Sequence, residues 1–277
     1  QLDYAQLDWG SAAVPLLVQS IEQMTAVEHI NLFANAFTAD DLAPIIDVLS
    51  TRPGLNYLQL SFNPCGPATG PRIAGLLAVR QLHTLRLNAS QLGPDGTSAV
   101  FKAIAEGSRV VELQVDQNFL GTASAAWALS DMVCRSTSLT ALSINLCELG
   151  PAGSTALADG LQSNSTLSSL DVRLNEIGTV GARALATALV GKTNLTQLHL
   201  SANDLDGDGA AAVLAQLRTS LAPHCTKLDL DPHAPGPSAL AALVHADDPK
   251  AKPRVLTCFH CGQMGHLARN CPATLDA

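Results

Sequence analysis

A repeat with a period of about 28 residues is the feature that most constrains the fold of this chain. Each unit contains an apolar register residue and a second apolar side chain two positions later, and the units between the first and the last have a polar side chain, mostly asparagine, three positions after that. The nine register residues are Leu2, Ile30, Leu58, Leu85, Leu113, Leu142, Leu170, Leu198 and Leu228. A period of this length indicates stacked supersecondary units, each of which buries its apolar face against its neighbours.

Each unit is predicted to contain a strand, a turn and a helix. Side chains two residues apart point to the same face of a strand, so the paired apolar positions predict a short strand with one buried face. Asparagine suits the following turn because one amide can both donate and accept hydrogen bonds. A glycine such as Gly178 then supplies the backbone freedom that the turn needs. Residues 181–190, in which Ala, Leu and Val recur at three- and four-residue spacing, predict a helix.

Residues 167–177 follow the pattern L-x-x-L-x-L-x-x-N/C-x-L, and residues 1–245 resemble the leucine-rich repeat family, in particular its ribonuclease-inhibitor-like subtype. The resemblance implies an α/β fold, a horseshoe-shaped solenoid of about eight to nine repeats with parallel strands inside and helices outside. Because the first residue is Gln1 and not Met, we expect the natural N-terminus to be missing and further repeats or a cap to lie upstream. The same subtype includes the Ran GTPase-activating proteins, so activation of a GTPase is an alternative by analogy of fold.

The strand residues that point away from the core would line the concave face of such a solenoid. They are polar, of mixed charge and poor in aromatic residues, so they offer RNA neither a basic stripe nor a stacking platform. A protein partner is therefore the favoured ligand, and the alternative is a solvated face that binds nothing. The candidate protein-binding residues are Tyr57, Arg86, Glu112, Asp116, Asp171, Arg173 and His199.

The C-terminal segment contains the most specific chemical signal. Residues 246–257 hold two prolines and alternating charges, which is typical of a linker. The spacing C-x2-C-x4-H-x4-C then follows, with the candidate metal ligands Cys258, Cys261, His266 and Cys271. Three thiolates and one imidazole form the closed tetrahedral donor set of a structural Zn²⁺ site. So short a segment has almost no core, and zinc must supply its folding free energy, on the order of 10 kcal/mol.

Residues 258–272 closely resemble the retroviral-type CCHC zinc knuckle, because an aromatic follows the first Cys, a Gly follows the second, and a basic residue lies near the last. The resemblance implies that an unpaired base stacks on the aromatic ring, and hence that the tail binds single-stranded RNA (or ssDNA). A zinc-stapled tail that docks to a protein is the alternative. The candidate RNA-binding residues are Phe259, Leu267, Arg269, Lys250, Lys252 and Arg254.

The net charge of −8 is divided unevenly along the chain. Residues 249–277 hold four basic residues and one acidic residue, while residues 1–248 hold 12 basic and 23 acidic ones. Nucleic acids bind largely through neutralised phosphates, so the acidic repeats are expected to repel RNA and leave its binding to the tail.

The remaining motifs are interpreted as structural. Residues 190–193 resemble the end of a phosphate-binding loop but lie between a predicted helix and the next strand, which reverses the required order. Residues 204–209 resemble the start of a calcium loop, but its twelfth position is Ala215 where a Glu is needed. Cys147 falls in the asparagine column, and Cys134 and Cys225 are interpreted as core residues.

The sequence thus predicts a non-enzymatic adaptor in a ribonucleoprotein assembly, with a protein on the repeats and single-stranded RNA on the tail. The alternative is a structural scaffold of a large protein assembly whose knuckle mediates protein contact. We expect a monomeric subunit of a larger complex. Scattered cysteines favour a reducing, intracellular compartment over secretion. Since no apolar stretch reaches about 18 residues, no membrane partner is expected.

Overall fold

One parallel β-sheet flanked by helices makes up the computed structural model, which describes residues 1–24, 26–79, 82–205, 207–221 and 224–229. The strands of this part pair in sequence order, each with the next. They are β1 (Leu2–Asp3), β2 (His29–Asn31), β3 (Tyr57–Gln59), β4 (Thr84–Arg86), β5 (Glu112–Gln114), β6 (Ala141–Ser143), β7 (Ser169–Asp171), β8 (Gln197–His199) and β9 (Lys227–Asp229). The strand that follows each helix thus extends the same sheet, as the repeat predicts.

One helix separates each strand from the next. After a short 3₁₀ turn at Ser11–Ala13, the helices are α1 (Val14–Gln23), α2 (Ala39–Leu49), α3 (Thr69–Val79), α4 (Gly93–Ala105), α5 (Ala123–Arg135), α6 (Gly150–Ser163), α7 (Gly178–Ala188) and α8 (Gly207–Leu221). Local signals set their starts. Thr38 and Asp41 form a reciprocal capping box at α2, and α4 and α6 begin with a glycine followed by a proline.

The register of the sheet confirms the period of the sequence repeat. The register residue of each strand pairs with that of its neighbour, as Leu58 does with Leu85 and Leu170 with Leu198. These central side chains are buried, while the residues before and after them in the strand are mostly half-buried. The alternation gives each strand one face in the core between sheet and helices, and one open face.

Glycines allow the helix layer to pack backbone against backbone. A Cβ atom on Gly70 of α3 would lie 2.2 Å from the carbonyl oxygen of Gly96 in α4. A Cβ atom on Gly160 of α6 would lie 2.5 Å from the carbonyl oxygen of Ser130 in α5. At these two positions even the Cβ atom of an alanine would be too large.

Asparagines at the turns form a ladder of buried hydrogen bonds, which we call the asparagine ladder (Asn35, Asn63, Asn118, Asn175 and Asn203). Each amide bonds backbone groups of its own unit and of the preceding one. In one rung, Asn175 Oδ1 accepts from the amide of Cys147 at 2.9 Å, and Nδ2 donates to the carbonyl of Ile144 at 2.6 Å. The predicted double use of the amide is therefore confirmed.

The turns beside this ladder hold left-handed residues that are not glycine. Leu174 and Glu176, on either side of Asn175, have φ values of 59° and 55°. Such backbone costs a side chain about 1–3 kcal/mol and persists where its surroundings fix it. Here the amide of Leu174 donates to the carbonyl of Ser201 in the next unit. Gly178 has a φ of 61°, as the sequence predicts, and residues other than glycine share the left-handed conformation in these turns.

The cysteines differ in their surroundings. Burial raises the pKa of the Cys65 thiol to about 12, and burial together with the charge of Asp116 raises the pKa of Cys147. Cys225 is also buried. Cys134, which the sequence assigns to the core, is exposed near the end of α5, so that assignment is wrong. The helical period places this position on the outer side of the helix, away from the sheet.

The predicted boundaries at 1–245, 246–257 and 258–272 stay predictions, because residues 230–277 lie outside the described part. Within that part, no helix combines the length and the apolar character needed to cross a membrane.

Candidate interaction surface

All seven predicted protein-binding residues lie on or directly beside the open face of the sheet, and each is half-buried. We call this surface the open face, meaning the residues that flank the buried register residue in each strand, together with the residue two positions after the strand. Strand register explains the result, because alternate side chains leave the sheet on the same side.

An aromatic and charged cluster spans strands β2 to β5. The rings of His29 and Tyr57 stack with centroids 5.4 Å apart, and the guanidinium carbon of Arg86 lies 5.7 Å from the centroid of Tyr57. Arg86 Nη2 donates to Glu112 Oε1 at 2.9 Å, and Gln114 Nε2 donates to the same oxygen at 3.0 Å. Tyr57, Arg86 and Glu112 are thus brought together and held in fixed positions by their neighbours.

Asp116 belongs to a second ladder of hydrogen bonds, which runs through Ser61, Asn88, Asp116, Asn145 and Arg173, two positions after each strand. In each step a side-chain oxygen accepts from the backbone amide of the next residue in this series, at 2.7–2.9 Å. Asp116 Oδ1 also accepts from Ser143 Oγ at 2.6 Å. This carboxylate therefore holds two neighbouring units together, whatever else it contacts.

Arg173 and Asp171 form a bidentate ion pair at the end of β7. Arg173 Nε donates to Asp171 Oδ1 at 2.8 Å, and Nη2 donates to Asp171 Oδ2. Burial alone would lower the pKa of Arg173, but the hydrogen bonds and charge of Asp171, with the charges of Asp229 and Asp116, raise it. The guanidinium is thus engaged with carboxylates of the protein itself.

His199 lies between two aspartates of the neighbouring strands. Its register partners are Asp171 on β7 and Asp229 on β9, and its Nδ1 atom is 3.8 Å from Asp229 Oδ2. Ser201 Oγ donates to the same Asp229 oxygen at 2.8 Å. Asp229 is not among the predicted protein-binding residues, although the strand period places it on this face together with His199.

Two aromatic residues differ in exposure from their surroundings. Phe33, two positions after β2, belongs to the open face by its position but is only 6% exposed and packs against Phe62 with ring centroids 5.1 Å apart. Trp127 is 62% exposed on the outer side of α5. The apolar spacing of α5 indicates which face of the helix is buried, but no other unit has an aromatic residue at the position that corresponds to Trp127.

The phosphate-loop resemblance has a structural explanation. Lys192 Nζ donates to the carbonyls of Gln162 and Asn164, at 2.7 and 2.8 Å, at the end of helix α6. A cation stabilises this end of a helix, where the carbonyls lack partners within the helix. The lysine therefore joins neighbouring repeats, as the structural interpretation of residues 190–193 predicts.

The predicted zinc ligands lie outside the described residues, as do the predicted RNA-binding residues of the tail. Within the described part, no three His, Cys, Asp or Glu side chains stand together in a way that could hold a metal ion. The donor set that fits zinc is the Cys, Cys, His and Cys series of residues 258–271, on the chemistry of its residues and their spacing.

Comparisons with known proteins agree with both predicted parts of the chain. A family model described as leucine-rich repeat matches residues 135–158, 163–186 and 191–214, and one described as zinc knuckle matches residues 256–273. Each repeat match contains one strand, β6, β7 or β8. A solved structure described as leiomodin-1 actin-binding site 2 is similar, at 17% identity and a TM-score of 0.44, over 55% of this chain and 87% of that chain. No match is found among curated proteins.

Proposed function

We propose that this leucine-rich repeat chain, which carries a CCHC zinc knuckle near its C-terminus, is a non-enzymatic adaptor. In this proposal the repeats dock to a protein and the knuckle binds single-stranded RNA within a ribonucleoprotein assembly. The repeats suggest protein interaction and the knuckle suggests nucleic-acid binding. The observation that carries the proposal is the zinc-knuckle match at residues 256–273 of a chain whose open face pairs Arg86 and Arg173 with carboxylates of its own.

The open face supports docking of a protein better than docking of RNA. Of its described cationic residues, Arg86 and Arg173 are held by Glu112 and Asp171, so their charge is already compensated, and Lys227 is exposed on the last described strand, β9. RNA affinity depends largely on phosphate neutralisation, which a compensated and acidic surface does not provide. Tyrosine and arginine are instead the residue types that dominate protein-protein hot spots. Their fixed positions also lower the entropy that binding would cost.

The tail supports zinc and RNA binding through its residue types. The knuckle match implies zinc binding, and we propose Cys258, Cys261, His266 and Cys271 as the ligands. Bound zinc would fold the segment and use all four coordination positions structurally. Phe259 and Leu267 would then contact an unpaired base. The basic residues that would contact phosphates are Lys250, Lys252, Arg254 and Arg269.

The absence of catalysis is part of the proposal. A nucleophilic cysteine requires a thiolate, whereas the pKa of buried Cys147 is raised. His199 has Asp171 and Asp229 as its register partners on the two neighbouring strands. Both residues are therefore more readily explained by packing of the repeats than by a reaction.

Binding of single-stranded RNA to the full chain and its Phe259→Ala variant tests the tail. A base stacked on an aromatic ring contributes about 1–3 kcal/mol, so the variant should bind about 5- to 150-fold more weakly. Fluorescence anisotropy with a labelled oligonucleotide measures the affinity, and the zinc content of both proteins is the control. Equal affinities at equal zinc content would show that base stacking on Phe259 is wrong.

Exchange of charge on the open face tests the docking surface. Glu112→Lys should repel Arg86 and reduce recovery of the bound partner from cells about tenfold or more, as loss of a hot spot does. Asp159→Lys makes the same charge change on the exposed side of helix α6 and is the matched control. Quantitative mass spectrometry of the purified complexes gives the measurement. Equal recovery with both variants would place the partner elsewhere.

Crosslinking followed by RNA sequencing from cells separates the proposed function from the alternative, a structural scaffold whose knuckle contacts protein. If the knuckle binds RNA, adducts should form with the wild type but not with Cys261→Ser, which lacks one of the four predicted zinc ligands. If neither protein yields adducts and Cys261→Ser loses protein partners that the wild type retains, the scaffold function is favoured.

A further inference from the structure

We draw no further inference here: the strongest candidate, the row of carboxylates at the carboxyl ends of strands β5 to β9 that includes Asp116, Asp171, Glu176 and Asp229, is an acidic cluster beside which the described residues hold no second feature that points to a ligand.

Discussion

The Asn175→Ala substitution removes one rung of the asparagine ladder and leaves the apolar core intact. In the folded array, Asn175 Oδ1 accepts from the amides of Cys147 and Leu149 at 2.9 and 3.3 Å. Its Nδ2 donates to the carbonyls of Ile144 and Val172 at 2.6 and 3.1 Å, and to the part-buried carbonyl of Arg173 at 3.2 Å. Alanine can replace none of these bonds, so the four buried backbone groups lose their side-chain partner where little water can reach them.

The expected cost follows from these four groups. A buried donor or acceptor that loses its partner costs about 1 kcal/mol or more, so the free energy of unfolding should fall by about 4 kcal/mol. That value lies at the upper end for a single substitution. For a domain of this size, about 1 kcal/mol shifts the midpoint by about 2–4 °C, so Tm should fall by about 10 °C.

Urea denaturation followed by far-UV circular dichroism measures the change in unfolding free energy. Asn194→Ala is the matched control, because Asn194 is half-buried and donates a hydrogen bond to the carbonyl of Leu167 at 2.6 Å. It should cost about 1 kcal/mol. If the two variants shift the urea midpoint equally, the four buried bonds of Asn175 do not stabilise the array more than the single bond of Asn194.

Two further predictions concern helix packing and thiol reactivity. Gly70→Ala should destabilise the array by about 3 kcal/mol, because its Cβ would lie 2.2 Å from a carbonyl oxygen of α4. Gly75→Ala in the same helix has open space and should stabilise it by about 0.5–1 kcal/mol, and a urea midpoint that moves the same way in both would contradict this reasoning. Cys65 and Cys147 should resist a thiol reagent at pH 8 in the folded array because their pKa values are raised, whereas exposed Cys134 should react. Mass spectrometry of the labelled peptides gives the result, and rapid labelling of Cys65 would refute it.

The repeat and the sheet register were predictable because they depend on periodicity. Apolar residues that recur every 28 positions can be buried together only if neighbouring units align them, as Leu170 and Leu198 are aligned. The asparagine column was predictable for a related reason. A turn inside the array leaves backbone donors and acceptors without water, and an amide such as that of Asn175 can satisfy both kinds.

The departures from prediction arise where contacts between units decide the outcome. The left-handed backbone of Leu174 is held by a bond to the next unit, which no local propensity reveals. The position of Cys134 depends on which face of α5 meets its neighbours. Likewise, the backbone approach of α3 and α4 at Gly70 depends on the distance between two helices, which the spacing of residues along the chain does not give.

Asp116 shows that a charged side chain on the open face is not always available to a partner. The strand period places Asp116 and Glu112 on one face, and from the sequence both are equal candidates for binding. In the structure Asp116 accepts from the backbone amide of Asn145, so its removal would disturb the join between two units. Glu112 accepts from the side chains of Arg86 and Gln114, which can be replaced without cutting a backbone bond. A loss of partner binding in a Glu112 variant therefore reports on the surface, whereas the same loss in an Asp116 variant would report on the fold as well.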